Sequence, residues 1–343
     1  MKVAVLTQGK DIPSTRFRVA QYFDLFNKNG ISVCFYHEKR SAYPPPGLWS
    51  RFSWLVAELN HRWHQIRHIN NSDADLVILQ RELISTLPTF ERFIKKPIIL
   101  DVDDAIFLNK GGIAAKSLGK KAAHVVCGNT FLADYFAKLN NNISVIATPV
   151  NALRFCPAAL TVNEKLIGWS GSSSGFSYLY QIEYQLSQVL QRFPDWKLLI
   201  VADKPPQFTL LPQHQVVFER WQPDIEVAAI QRMSIGIMPL HDDPWAKGKC
   251  SYKMLLYMAC GVCCVVSDVG MNSDILAQAN VGIGVDDEQW ADALSHLIKE
   301  DILRKEMGKA GRELIENEYS LNIAFEKWLA ILQRVQLQHK VNG

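Results

Sequence analysis

The chain has no uninterrupted apolar run long enough to span a bilayer. Its opening, MKVAVLTQGK, passes into a strand without an apolar leader, so a cytoplasmic protein is expected. Net charge is small too. A formal +3 over 343 residues argues against a nucleic-acid binder on bulk grounds, while local basic clusters still suit phosphorylated ligands or an anionic membrane surface. Neither a low-complexity tract nor a repeat of solenoid length is present. Neither G-x-G-x-x-G nor the Lys-Ser/Thr of a P-loop appears, which weighs against a nicotinamide dehydrogenase. Cysteines number only seven, mostly in apolar runs (Cys34, Cys127, Cys260, Cys263, Cys264), as suits reduced core thiols. Cys260 and Cys263 form a C-x-x-C, but no second pair or nearby histidine completes a zinc set, and no metal or cofactor is expected.

What remains is 48% hydrophobic and long enough for two α/β domains, each with its own core. The first half opens as βαβ: a strand over Lys2–Thr7, a loop with Gly9 and Pro13, a helix capped by Thr15 and stopped at Asn29-Gly30, then a strand from Ile31. Arg16 and Arg18 fall at the helix start beside the end of the first strand, where open α/β sheets bind ligands. Two cations there oppose the helix dipole and suit an anion, or else are plain surface residues. After a turn over 41–47, residues 48–69 mix Trp49, Phe52, Trp54 and Trp63 with Arg51, Arg62, Arg67 and three histidines. This basic, aromatic-rich amphipathic helix suits a membrane surface, an acceptor wall or packing on its own sheet. A helix near Leu87–Ile94 separates strands at Asp75–Gln80 and Pro97–Val102. The latter runs into Asp101-Val102-Asp103-Asp104, carboxylates costly to crowd without a cation, a donor or a sugar hydroxyl; helix capping is the alternative. Two more strands, Ala123–Cys127 and Ile143–Ile146, flank a helix at Thr130–Leu139, and Pro149–Pro157 reads as a linker.

The second half restarts with a strand at Leu166–Trp169, the loop Ser170–Gly175, a helix over 176–193 and a strand at Trp196–Val201. Small residues between strand and helix let backbone N–H groups approach a diphosphate. Further on, KGKCSYKMLLYMACGVCCVVSDVGMNSD (247–274) reads as loop, helix, tight turn, buried strand and loop. Lys247, Lys249 and Lys253 surround a helix start at Cys250–Ser251, and Gly261 ends the helix. The cluster suits a phosphate, or else solvated lysines on an ordinary αβ loop. Helices near 287–299, 301–317 and 320–337 complete the chain.

IGWSGSSS, PLHDDPWAKGKCSYK, YMACG, SDVGMNSD and MGKAGRELIENEYSL together resemble the retaining nucleotide-sugar glycosyltransferases of the GT-B fold, often called family 4. STRFR and ILDVDDAIF resemble their bacterial polysaccharide-type branch. The resemblance implies an α/β protein of two Rossmann-like domains with parallel sheets facing a cleft: 1–157 with a returning helix near 320–343 on the acceptor side, and 158–319 for the donor. It implies metal-independent transfer of a hexosyl or deoxyhexosyl group from a nucleotide-diphosphate sugar to a glycan or lipid-linked acceptor; the basic aromatic composition of the helix near 48–69 adds the expectation of peripheral contact at the inner face of the membrane. By the same resemblance Gly171, Ser172, Lys247, Lys249, Ser251, Lys253, Gly270, Met271 and Asn272 fall on the donor, the last three in a loop. Asp103 stands where relatives place a sugar-contacting histidine, Asp104 matches the acid after it, and Gly9, Arg16 and Arg18 serve the acceptor or phosphate side. Two expected glutamates, the second on the ribose, are here Gly248 and Leu256, and SGSSSGF lacks the usual Arg and Lys. A catalytically weak GT-B protein acting as scaffold is the alternative function.

Overall fold

The computed structural model describes residues 1–10, 12–38, 45–84, 89–159 and 164–342. The chain forms two compact units, Met1–Pro149 with Gly248–Cys250 and Asn322–Gly343, and Val150–Lys247 with Ser251–Leu321.

In the first unit six strands pair in parallel: β1 (Lys2–Leu6), β2 (Ser32–Tyr36), β3 (Leu76–Gln80), β4 (Ile98–Val102), β5 (His124–Cys127) and β6 (Ile143–Val145), in the order β2-β1-β3-β4-β5-β6. β3 and β4 are buried along their whole length, so they read as continuous apolar runs rather than alternating ones. The expected first helix is three pieces. Pro13 opens α1 (Pro13–Arg18), a 3-10 turn follows at Ala20–Tyr22, and α2 (Phe23–Lys28) ends before Gly30. Thr15 is no cap: it lies inside α1, with its hydroxyl donating to Gln80 Oε1 at 3.0 Å. The break comes at Val19, whose φ of −134° departs from the helical value of about −63°.

The basic aromatic segment forms α3 (Leu48–Asn71). Its central charges are structural. Arg62 is fully buried, donates to the carbonyls of Thr7 (3.0 Å) and Leu83 (3.3 Å), and pairs with Glu58 (2.8 Å) and Glu38 (3.1 Å). Trp63 packs on Phe90 and Phe93, with ring centroids 5.3 and 5.5 Å away. Those phenylalanines lie in a 3-10 turn, Phe90–Phe93, where a longer helix was expected; positions 87 and 88 of that expectation, and 41–44 of the expected turn, fall outside the described residues. α4 (Ile113–Lys121) and α5 (Thr130–Phe136) follow. The C-terminal helix Leu321–Asn342 packs Phe325 on Tyr22 and Phe26.

The second unit pairs β7 (Leu166–Ser170), β8 (Lys197–Ala202), β9 (Val216–Arg220), β10 (Ile235–Met238), β11 (Cys263–Ser267) and β12 (Gly282–Val285) in the order β12-β11-β10-β7-β8-β9, again all parallel. The expected long helix over 176–193 is α6 (Phe176–Gln181) and α7 (Glu183–Arg192), broken at Ile182. Then come α8 (Glu226–Gln231), α9 (Pro244–Lys247), α10 (Tyr252–Ala259), α11 (Met271–Leu276), α12 (Trp290–Lys299) and α13 (Asp301–Leu314). Trp169, Leu186, Trp290 and Leu294 sit in one buried cluster. Strand order reverses between β1 and β3 in one unit and between β7 and β10 in the other, and open parallel sheets bind ligands at the carboxyl ends beside such points.

Arg334 of the C-terminal helix donates to His124 Nδ1 at 2.8 Å. A guanidinium only donates, so the imidazole hydrogen sits on Nε2 and bonds Ser144 Oγ at 3.0 Å. Burial, reinforced by Arg334, lowers the His124 pKa from 6.5 to about 4. The native form is therefore neutral while the unfolded chain gains a proton as pH falls through 6.5. Stability is lost between about pH 6.5 and 4 and levels off below. Chemical denaturation at pH 7 and 5 is expected to show this loss in the parent and a smaller loss in His124→Gln; equal losses would contradict it.

Candidate functional site

In the first unit the polar groups collect at the carboxyl ends of β1, β3 and β4. Arg81, directly after β3, has a positive φ of 57°, a conformation that costs a non-glycine residue on the order of 1 kcal/mol. From there its Nε donates to Asp103 Oδ1 at 2.6 Å, and its NH2 reaches Asp104 and Ser14 Oγ, the latter at 2.9 Å. Asp103 and Asp104 thus share one guanidinium. Burial pushes the Asp103 carboxyl up, but Arg81 outweighs it and holds the group below the usual carboxylate range. Asp104 goes the other way, raised by burial and by Asp103, against the pull of Arg81 and Lys249. Lys249 belongs here because the segment Gly248–Cys250 packs with this unit: Asn129 Nδ2 donates to the Lys249 carbonyl at 2.9 Å, and Cys250 Sγ to the Asp103 carbonyl at 3.3 Å. A Cβ on Gly248 would lie 2.6 Å from that of Ala105, so this position has no room for the glutamate that the resemblance placed there.

Two expectations on this side change. Arg16 and Arg18 lie in the last turn of α1, where the helix dipole favours cations, and not at its start. Arg18 is a structural ion pair rather than an anion contact: 1% exposed, it forks onto Asp101 and donates to the Ile146 carbonyl at 2.6 Å. Burial opposes its charge, but Asp101 outweighs this and raises the pKa. Arg16 lies over the Phe17 ring at 4.9 Å. Gly9 sits in the loop after β1, which Gln8 ties to the loop after β3 by donating to the Glu82 carbonyl at 3.2 Å.

In the second unit the loop after β7 is built around a small residue. A Cβ on Gly171 would meet Lys253 Cε at 2.5 Å and the Trp169 ring at 2.8 Å, so only glycine lets the lysine lie here. Lys253, in the first turn of α10, holds its ammonium 5.4 Å from the Trp169 ring centroid, a cation–π distance. Tyr257, one turn further on, accepts the Ser170 N–H at 2.9 Å and fixes the end of β7. Ser172 and Ser174 share a hydrogen bond at 2.6 Å. The amide and hydroxyl of Ser173 both donate to Asp203, at 2.6 and 2.9 Å.

Lys247 pairs with Asp242 at 2.8 Å, and Gly270, with φ +57°, lies so close to the Lys247 backbone that a Cβ would come within 2.9 Å of its Cα. Ser251 is the residue before α10 and takes a left-handed φ of 47°. The expected loop at 270–272 is corrected: Met271 and Asn272 begin α11, both buried. Asn272 is 0% exposed, and its side-chain Nδ2 donates to the Ser267 carbonyl at 3.0 Å. Leu256 is 4% exposed, in the core of α10. A pocket of about 650 Å³ at the ends of β10–β12 is lined by Asp242, Asp268, Asp286, Asp287 and Glu288, a wall that repels a phosphate. Among the described residues no group of three His, Cys, Asp or Glu is placed to hold a metal ion.

Arg81, Asp203 and Tyr257 escaped the sequence reading. Asp203 had a signal, as the first charged residue after the buried strand β8; Arg81 had none, because its role depends on a positive φ.

Two parallel Rossmann-like sheets of this order define a GT-B protein, and residues 167–300, which lie within the second unit's span, match the family model described as Glycosyl transferases group 1. Among solved structures the chain is similar to sucrose-phosphate synthase from Thermosynechococcus elongatus, at 14% identity and a TM-score of 0.76 over 97% of this chain and 98% of that one. It is also similar to Anabaena HepE in complex with UDP and glucose (13%, TM-score 0.71, 97% and 100% covered). A third relative in fold is WaaG, a glycosyltransferase involved in lipopolysaccharide biosynthesis (12%, TM-score 0.68, 95% and 98%). No curated protein matches the sequence.

Removing Arg81 leaves two carboxylates without their shared cation, so Arg81→Met is expected to cost about 3–5 kcal/mol of stability. The same change in an Asp103→Asn/Asp104→Asn background is expected to cost less. Denaturant titrations that show equal losses in both backgrounds would refute the clamp.

Proposed function

We propose that the chain is a retaining glycosyltransferase that moves a hexosyl or deoxyhexosyl group from a nucleotide-diphosphate donor to a glycan or lipid-linked acceptor in surface polysaccharide synthesis, at the inner face of the membrane. The carrying observation is Lys253, held over Trp169 in the space that Gly171 leaves at the end of β7. A cation fixed there stabilises negative charge as a diphosphate departs, and fixed charge is worth most where it needs no reorganisation. The chemistry then needs neither a metal nor a protein nucleophile. The acceptor hydroxyl attacks on the face the diphosphate leaves, and a phosphate oxygen takes its proton. Asp103, kept ionised by Arg81, accepts hydrogen bonds from sugar hydroxyls and orients the ring. The complexes formed by structural relatives, UDP and glucose on HepE among them, support this donor class.

One observation favours a second reading, a weakly active GT-B protein that binds a nucleotide-sugar or glycan as a scaffold. Gly248 and Leu256 stand where the resembling enzymes carry carboxylates; one is packed on Ala105 and the other is buried. Neither side chain accepts a hydrogen bond from a ribose.

Transfer assays with panels of nucleotide-sugars separate the two. Lys253→Ala is expected to lower kcat/KM for the donor at least tenfold, a barrier increase of about 1.4 kcal/mol. Lys249→Ala, beside Asp104, is expected to lower turnover by a similar factor. Parent rates in both variants would overturn the assignment, and nucleotide binding without transfer or donor hydrolysis would favour the scaffold.

A further inference from the structure

We propose that the first two turns of α3 dock on an anionic phospholipid bilayer, with Trp49 and Phe52 inserted at its interface. The sequence marks the whole of 48–69 as basic and aromatic, but the fold divides it. Trp54, Arg62, Ile66 and Ile69 are buried in the first unit, and Trp63 packs on Phe90 and Phe93. The N-terminal turns do not share in this packing. Leu48 is 85% exposed, Trp49 87%, Phe52 63% and Val56 51%. From Leu48 to Ser53 every residue except Ser50 is exposed, so this end of the helix projects from the body of its unit.

Trp49, Phe52 and Val56 follow each other at intervals of three and four, on one face. A contiguous group of large apolar side chains in water marks a surface that something covers. Charge identifies what covers it. The same face continues through Asn60 to Arg67, and the other exposed titratable residues of the helix are Arg51, His64 and His68. Glu58, the helix's single carboxylate, is 1% exposed and paired with Arg62. The exposed surface of a 24-residue helix thus carries cations and no anion. Apolar side chains at one end with a basic flank match an interface whose headgroups are negative and whose acyl boundary is apolar. Indole and phenyl rings are the side chains that settle at that depth. No described helix is long and apolar enough to cross a membrane, so the contact is peripheral.

The inference extends the lipid-linked acceptor reading, but vesicle binding requires no donor, so either can fail alone. The full chain is sedimented with vesicles of phosphatidylcholine alone and of phosphatidylcholine mixed with phosphatidylglycerol. Expected results are binding to the mixed vesicles at least tenfold tighter than to the neutral ones, weakening in high salt. Trp49→Ser/Phe52→Ser is expected to lose at least tenfold in partitioning with unchanged circular dichroism and melting, because both side chains are largely in water. Arg51→Glu/Arg67→Glu is expected to abolish the preference for anionic vesicles. Equal partitioning of parent and Trp49→Ser/Phe52→Ser, or no preference for the anionic vesicles, would overturn the proposal. So would a concentration-dependent dimer in light scattering that the same serine substitutions abolish, since a second copy would then be what covers the face.

Discussion

Parallel sheets covered on both faces leave charged groups few places to sit, and the consequences run through both units. Inside β3, β4, β10 and β11 nearly every residue is apolar, so ionised side chains gather just past the carboxyl ends of the strands. Crowded there, like charges need a counter-charge at hydrogen-bond distance. Arg18 supplies it for Asp101 at the end of β4, and Arg81 supplies it for Asp103 and Asp104 in the next two residues. The first pair is sealed from solvent and fixes the loops; the second is partly open, with the Arg81 side chain 17% and that of Asp104 24% exposed.

The same constraint separates two kinds of basic residue that look alike in the sequence. Arg62 in α3 and Arg18 in α1 are buried and satisfied by carbonyls and carboxylates of their own unit. Lys253 lies over an indole face, its ammonium 5.4 Å from the Trp169 ring centroid at the end of β7. Asp203 occupies the amide and hydroxyl of Ser173, so the glycine/serine loop after β7 is ordered by a carboxylate of the protein itself. A diphosphate placed by the Lys253 charge therefore uses a fixed cation rather than those two donors.

The alternation of apolar runs with helical periods was enough to locate most of the strands and the two-unit plan, because buried parallel strands and amphipathic helices leave strong local patterns. β12 was missed, since GIGV offers little bulk, and α9 and α11 are too short to show a period. The kinks at Val19 and Ile182 have no breaker residue to announce them. In the site, the glycine loop after β7 and the acidic triplet after β4 were legible from composition. Which lysine goes with which loop was not, because Gly248–Cys250 packs with the first unit although its chain neighbours belong to the second.

The central claim is that the second unit takes a nucleoside diphosphate through Lys253. Titration calorimetry of the full chain with UDP, GDP and dTDP, repeated on Gly171→Val, tests it most directly, because a valine Cβ would displace the lysine without removing its charge. The account predicts that at least one of the three binds the parent and that the valine variant, still folded, binds it at least tenfold more weakly. Equal affinity in the two proteins, or no binding of any of the three to the parent, would contradict it.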